Sequence, residues 1–220
     1  AIVGSERVIT SEIPGTTRDA VDVRFEKEGR CFIAIDTAGV RKKGKIQNDI
    51  EFYGYTRATR SIRRADVVLL LMDATTPVSQ VDKKLAHLIQ EEHKPCVLVV
   101  NKWDLAKEQA HTEDYADYLD KVLVGLRHAP IAFTTATDGK NIQSVLDLTA
   151  ELFKQASTRI PTGKLNKAVK LIAEEKAGGS RKKGGIPRIY YATQVAVRPI
   201  SLLLFVNRTS LFDNAYQRYL

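Results

Sequence analysis

Short apolar runs alternate along most of this chain with longer amphipathic stretches. After a stub at Ile2, the runs Val21 to Phe25, Cys31 to Ile35, Val67 to Met72, Cys96 to Val100 and Ile131 to Thr134 read as strands. Ile50 to Arg64, Gln80 to Glu92, Glu113 to Leu126 and Ile142 to Ala156 place apolar residues at helical spacing, with Asn141 positioned to cap the last. The order predicts a parallel sheet with right-handed crossovers, a doubly wound α/β domain. Cys96 to Val100 is apolar at every position, the pattern of a strand covered on both faces.

The pattern changes after Ala156. Ser157 to Gly163, containing Pro161, reads as a linker. Leu165 to Lys176 carries a stripe of Leu165, Ala168, Val169, Leu171 and Ile172 and predicts a helix. A Gly-, Arg- and Lys-rich loop, Ala177 to Pro187, precedes two β-rich runs, Ile189 to Val197 and Leu202 to Asn207, separated by Arg198-Pro199 as in a hairpin. A further helix is expected from Phe212 to Leu220. The expected division is an α/β domain over 1–156, a linker over 157–163 and a smaller α+β domain over 164–220. Tyr190, Tyr191, Phe205 and Tyr216 are expected in the core. The glycines from Gly178 to Gly185 precede a strand and read as a basic connector, not as the nucleotide clamp of RNA-binding modules.

Composition narrows the setting. At 220 residues and 44% hydrophobic content there is room for two packed domains. Both cysteines, Cys31 and Cys96, fall in strands expected to be buried, which suggests no disulfide framework and favours a reducing cytoplasm. The longest apolar runs, Val67 to Met72 and Leu202 to Val206, are too short to span a bilayer. The net charge of +8 is unevenly held: residues 157–220 carry 12 Lys/Arg against 3 Asp/Glu, residues 1–156 carry 22 against 23. A basic module on a neutral domain suggests a polyanionic partner.

The candidate chemistry lies where strands end. Asn101-Lys102-Trp103-Asp104 follows the all-apolar strand. A carboxylate there can accept two adjacent hydrogen bonds from guanine, N1–H and the exocyclic amine, and adenine offers neither donor in that geometry. Each such charge-assisted bond contributes about 1.5–3 kcal/mol. Asn101 suits N7 and nearby backbone, and the Lys102 stem suits the flat face of the base. Asp36-Thr37-Ala38-Gly39 ends another strand, where an Asp can hold a water of a Mg2+ shell and a Gly can bring its N–H against a terminal phosphate. Pro14-Gly15-Thr16-Thr17-Arg18-Asp19 offers hydroxyls for Mg2+ and a glycine for a nucleotide-responsive loop. Together the three predict a GTPase.

The run Val8 to Val21 (VITSEIPGTTRDAV), then DTAGVRKKGKI, IRRADVVLLLMDAT, NKWDL and RIYYATQVAVRP, resembles the bacterial ribosome-assembly GTPases of the EngA or Der family, specifically the second GTPase domain and most of the KH-like domain. The resemblance implies a P-loop-type GTPase domain followed by a KH-like domain, with GTP or GDP as ligand. It implies Gly4 as the first glycine of the phosphate loop, Thr17 on Mg2+, Asp36 on a metal-bound water and Gly39 at the γ-phosphate, with Asp36, Thr37, Ala38, Gly39 and Val40 all among the nucleotide-binding residues. It further implies Asn101, Lys102 and Asp104 around the base, with Thr135-Ala136 in place of the usual Ser-Ala pair whose backbone N–H meets guanine O6. Ser11, Ile13 and Thr16 match the positions that hold a potassium ion in similar GTPases.

Two departures from that pattern stand out. Ala1-Ile2-Val3-Gly4 runs directly into Ser5-Glu6-Arg7-Val8-Ile9, and no Gly-Lys-Ser or Gly-Lys-Thr follows anywhere. The phosphate loop is missing after Gly4, expected as a mobile segment left out of this chain; a natural or engineered deletion would remove most phosphate contacts. Val40 stands where Ras-like enzymes place the water-orienting Gln, so turnover is expected to be slow. The implied partners are the large ribosomal subunit, its rRNA and an upstream GTPase domain of the same polypeptide, with neither membrane nor DNA. The competing expectation is a nucleotide-independent RNA- or protein-binding module on a degenerate GTPase scaffold.

Overall fold

The computed structural model describes residues 22–35, 48–106, 111–177, 185–213 and 216. It divides into two compact units, Ala1–Phe153 and Lys154–Leu220, each described by itself. The first opens with strands β1 (Asp22–Lys27) and β2 (Arg30–Ile35), an antiparallel hairpin. Its two-residue turn places Glu28 and Gly29 at φ 50° and 71°, the primed geometry that matches strand twist. Then come α1 (Asn48–Arg64), β3 (Val68–Asp73), α2 (Gln80–Glu91), β4 (Cys96–Asn101), α3 (Trp103–Ala106), α4 (Thr112–Val122), β5 (Ile131–Phe133) and α5 (Ile142–Ser157).

Strands β3, β4 and β5 form a parallel sheet in that spatial order, with Leu98 opposite Leu70 and Ile131. The all-apolar composition of β4 follows from its position. Cys96, Leu98 and Val100 point into a cluster with Ile62 of α1, Leu88 and Ile89 of α2 and Leu119 of α4. Val97 and Val99 point the other way, against Ala132 and Val145 with Leu148 and Leu152 of α5. Helices therefore cover both faces, as the strand-helix alternation requires. A capping box starts α2: Ser79 Oγ accepts from Asp82 N at 3.2 Å and Asp82 Oδ2 accepts from Ser79 N at 2.8 Å.

The second unit contains α6 (Thr162–Ala177) and an antiparallel pair, β6 (Ile189–Val197) and β7 (Ile200–Val206). Leu165 and Val169 of α6 pack on Ala192, Ile189 and Leu204. The Asn166 side chain meets both backbone groups of Ala192 as a neighbouring strand would, its Oδ1 accepting from Ala192 N and its Nδ2 donating to Ala192 O, each at 2.8 Å. Gln194, 2% exposed, accepts the Ile160 N–H at Oε1 (2.8 Å) and donates from Nε2 to Ala196 O (3.1 Å), while its own carbonyl accepts from Arg159 Nη2 (2.6 Å). These bonds pin the segment between α5 and α6 to β6, and that segment is shorter than the expected linker because Ser157, Thr162 and Gly163 are helical. Asp213 Oδ1 accepts from Tyr216 N at 2.9 Å, the bond of a helix N-cap near the expected helix start.

Several expectations need correction. Tyr191 and its register partner Phe205 are exposed on the hairpin face that α6 leaves open, and Tyr190 is exposed at a register irregularity between Ile189 and Tyr191; Tyr216 is buried. Cys31 is exposed and Cys96 buried, its thiol pushed up to about 12 by desolvation. Helix α4 ends at Val122 and a separate 3-10 turn covers Val124–Leu126. Asn141 does not cap α5 through its side chain: at φ 60° its amide donates to Phe133 O at 2.8 Å. Among the described residues no helix is long and apolar enough to cross a membrane.

Candidate functional site

The carboxyl ends of β3, β4 and β5 converge on one small polar cluster. β4 ends at Asn101, whose Oδ1 accepts two hydrogen bonds from the end of β5: the Ala136 N–H at 3.0 Å and the Thr134 hydroxyl at 3.1 Å. Thr134 is 2% exposed, so its hydroxyl needs that partner. The turn after β4 is tied back by Trp103 N to Thr134 O (3.1 Å) and by Ala74 N to Asn101 O (2.9 Å). Beneath it Trp103 packs on Phe133, ring centroids 4.4 Å apart, and edge-on to Tyr115 at 5.6 Å.

Lys102 sits in the left-handed region, φ 61°, and its ammonium lies 2.7 Å from Asp73 Oδ2 at the end of β3. Asp73 is held down to about 2, first by the Lys102 ammonium and then by the Thr75 hydroxyl, so it is ionised near neutral pH. Asp104 stands in the first turn of α3, half-buried, with no side-chain hydrogen bond or ion pair among the described residues. A fixed Asn101, a lysine stem laid across the turn and an unengaged carboxylate form a set that can grip a flat base with two adjacent N–H donors.

Thr135 and Ala136 are brought to the same place, with both N–H groups engaged inside the protein: Thr135 N donates to Lys140 O at 3.3 Å and Ala136 N to Asn101. A ligand oxygen reaching Ala136 N–H has to compete with Asn101 Oδ1. Gly4, Ser11, Ile13, Thr16, Thr17, Asp36, Thr37, Ala38, Gly39 and Val40 lie outside the described residues. The sequence reading missed Asp73, Thr75, Thr134 and the Trp103 support. Their signal was positional: a polar residue closing each strand adjacent to β4.

Comparison with known proteins places this geometry in context. Residues 1–102 match a family of 50S ribosome-binding GTPases, and residues 159–220 match the C-terminal KH-domain-like family of EngA bacterial GTPase enzymes. The chain is 45% identical over 216 residues to GTPase Der of Rhodopirellula baltica, covering 98% of this chain and 47% of that protein. It is 43% identical over 220 residues to GTPase Der of Halothermothrix orenii, covering 100% of this chain and 50% of that one. The chain thus spans about half the length of the curated relatives it matches. Among solved structures, Era in complex with MgGDPNP and a 16S ribosomal RNA segment aligns at TM-score 0.54 and 20% identity, covering 99% of this chain and 77% of that one. A variant of Aquifex aeolicus Era bound to GDP and aluminium fluoride aligns at TM-score 0.55 and 21% identity, with the same coverage. These two show the fold.

Proposed function

Because the chain belongs to the Der (EngA) family, carrying a GTPase domain followed by an EngA-type KH-like domain, we propose that it is a GTP-binding and GTP-hydrolysing switch acting in biogenesis of the large ribosomal subunit. The supporting observation is the turn at the end of β4, where Asn101 is locked to Thr134 and Ala136 while the Asp104 carboxylate stays unengaged among the described residues. Asp104 accepts guanine N1–H and the exocyclic amine, the Lys102 stem covers the ring face, and Ala136 N–H is shared between Asn101 and guanine O6. Adenine would leave the half-buried carboxylate without donors.

Thr17 and Asp36, the latter through a water, hold Mg2+ in this reading, with Gly4 and Thr37 to Val40 along the phosphates. Ser11, Ile13 and Thr16 hold a potassium ion, and turnover is slow because Val40 cannot orient water. The basic domain that follows the GTPase domain, expected over 164–220, carries the chain's excess of positive over negative charge and suits rRNA of the large subunit. The greater length of the relatives fits an upstream GTPase domain in the same cytoplasmic polypeptide.

Competition for a fluorescent GDP tests this. GTP and GDP should displace it, ADP and ATP should not, and Asp104→Asn should weaken binding at least tenfold, two charge-assisted bonds being at stake. Equal displacement by adenine nucleotides would remove the guanine assignment, and no binding of the fluorescent GDP at all would favour the nucleotide-independent module. Equal GTP turnover in KCl and NaCl at matched ionic strength would remove the potassium assignment.

A further inference from the structure

The left-handed Lys102 is held from the neighbouring strand. A non-glycine residue at φ 61° costs on the order of 1 kcal/mol and persists only where its surroundings determine it. Asp73 closes β3 as the register partner of Asn101. Its Oδ2 meets Lys102 Nζ at 2.7 Å, and its Oδ1 accepts from both Thr75 N at 3.0 Å and Thr75 Oγ1 at 2.6 Å. Both carboxylate oxygens are thus occupied, one by a neutral brace and one by the lysine. Asp73 has no motif of its own in the sequence.

Resting on the guanine reading above, we propose that Asp73 is a positioning residue for the base site: braced by Thr75, it anchors the Lys102 ammonium so that the lysine stem lies across the purine face and slows nucleotide release. The lysine side chain is half exposed and the aspartate a quarter exposed, so the pair adds little to folding stability. Its work is orientation. An unanchored lysine would sample many rotamers, and the ordering cost would fall on nucleotide binding.

The experiment measures release of fluorescent GDP from the full chain carrying Asp73→Asn, Asp73→Glu, Lys102→Met and the double change Asp73→Asn with Lys102→Met. Asp73→Asn should speed release about fivefold, the weight of one partly exposed ion pair. Asp73→Glu should recover part of that, and the double variant should release no faster than Lys102→Met alone, because Asp73 acts only through the lysine. An unchanged rate in Asp73→Asn, or the same acceleration in the Lys102→Met background, overturns the inference. Asp104→Asn measured alongside separates the two levels. If it keeps the preference for guanine over adenine, the guanine reading falls; if it abolishes that preference while Asp73→Asn releases normally, only the positioning role falls.

Discussion

Strands β4 and β6, one in each unit, treat their side chains in opposite ways, and the contrast bears on what each unit is proposed to do. β4 is hydrogen-bonded on both edges, to β3 and β5, and covered on both faces by helices, so Cys96 to Val100 are all buried. Among the described residues β6 has one strand neighbour, β7, and side chains of Asn166, Arg159 and Gln194 bond backbone groups at Ala192, Gln194 and Ala196. Its open face shows Tyr191 and Val195 beside Phe205 of β7. In the proposed reading, the turn that tells guanine from adenine by hydrogen-bond direction sits on the strand held from four sides. Charge-based attraction to a polyanion needs no such stiffness and sits on the module with the open sheet.

The sharpest way to break this contrast is to truncate the same residue type in both places. Leu98→Ala should cost about 3 kcal/mol in denaturant unfolding, because β4 cannot collapse around the cavity. Comparable losses from Leu203→Ala, which is about half exposed on β7, would erase the distinction. Asn166→Ala comes next. It leaves the Ala192 N–H and carbonyl without their α6 partner and should cost about 2 kcal/mol, read as earlier loss of exchange protection in β6 and β7 with β4 unaffected.

A smaller effect is read by pH at the end of β3, beside β4. The carboxyl of Asp73 is lowered from its usual 3.8 to about 2, so its contribution to stability is full above pH 4 and is lost as pH falls toward 2. The difference in unfolding free energy between the native chain and Asp73→Asn should be constant above pH 4 and shrink below it. A difference that grows on acidification would contradict the ion pair. Least of all, Phe205→Ser on the open face should change stability by no more than about 0.5 kcal/mol in thermal unfolding, since half of that side chain already meets water.

The strand-helix alternation made the first unit legible because each run had one dominant period, and the buried β4 and its terminal Asn101 to Asp104 turn followed from composition alone. Where two partners decide the outcome, sequence was silent. The break after Val122 arises where Gly125 lies against the Gln90 side chain, so close that a Cβ would sit 2.1 Å from Gln90 Oε1. The exposure of Tyr191 and Phe205 depends on which hairpin face α6 covers, and that of Tyr190 on a register irregularity beside it, information absent from an aromatic-rich alternating run. Asp73 belongs to the site only through strand register, which pairs it with Asn101 across the sheet. The four residues of α3 are too few to show a period.

The central claim is that Asp104 selects guanine by accepting two N–H donors. It is tested most directly by measuring GDP against xanthosine diphosphate affinity in the native chain and in Asp104→Asn. Xanthine carries a carbonyl where guanine has its amine, so an amide side chain can donate to it while still accepting N1–H. The native chain should prefer GDP and Asp104→Asn should prefer the xanthosine nucleotide; an unchanged order of preference in the two proteins would contradict the account.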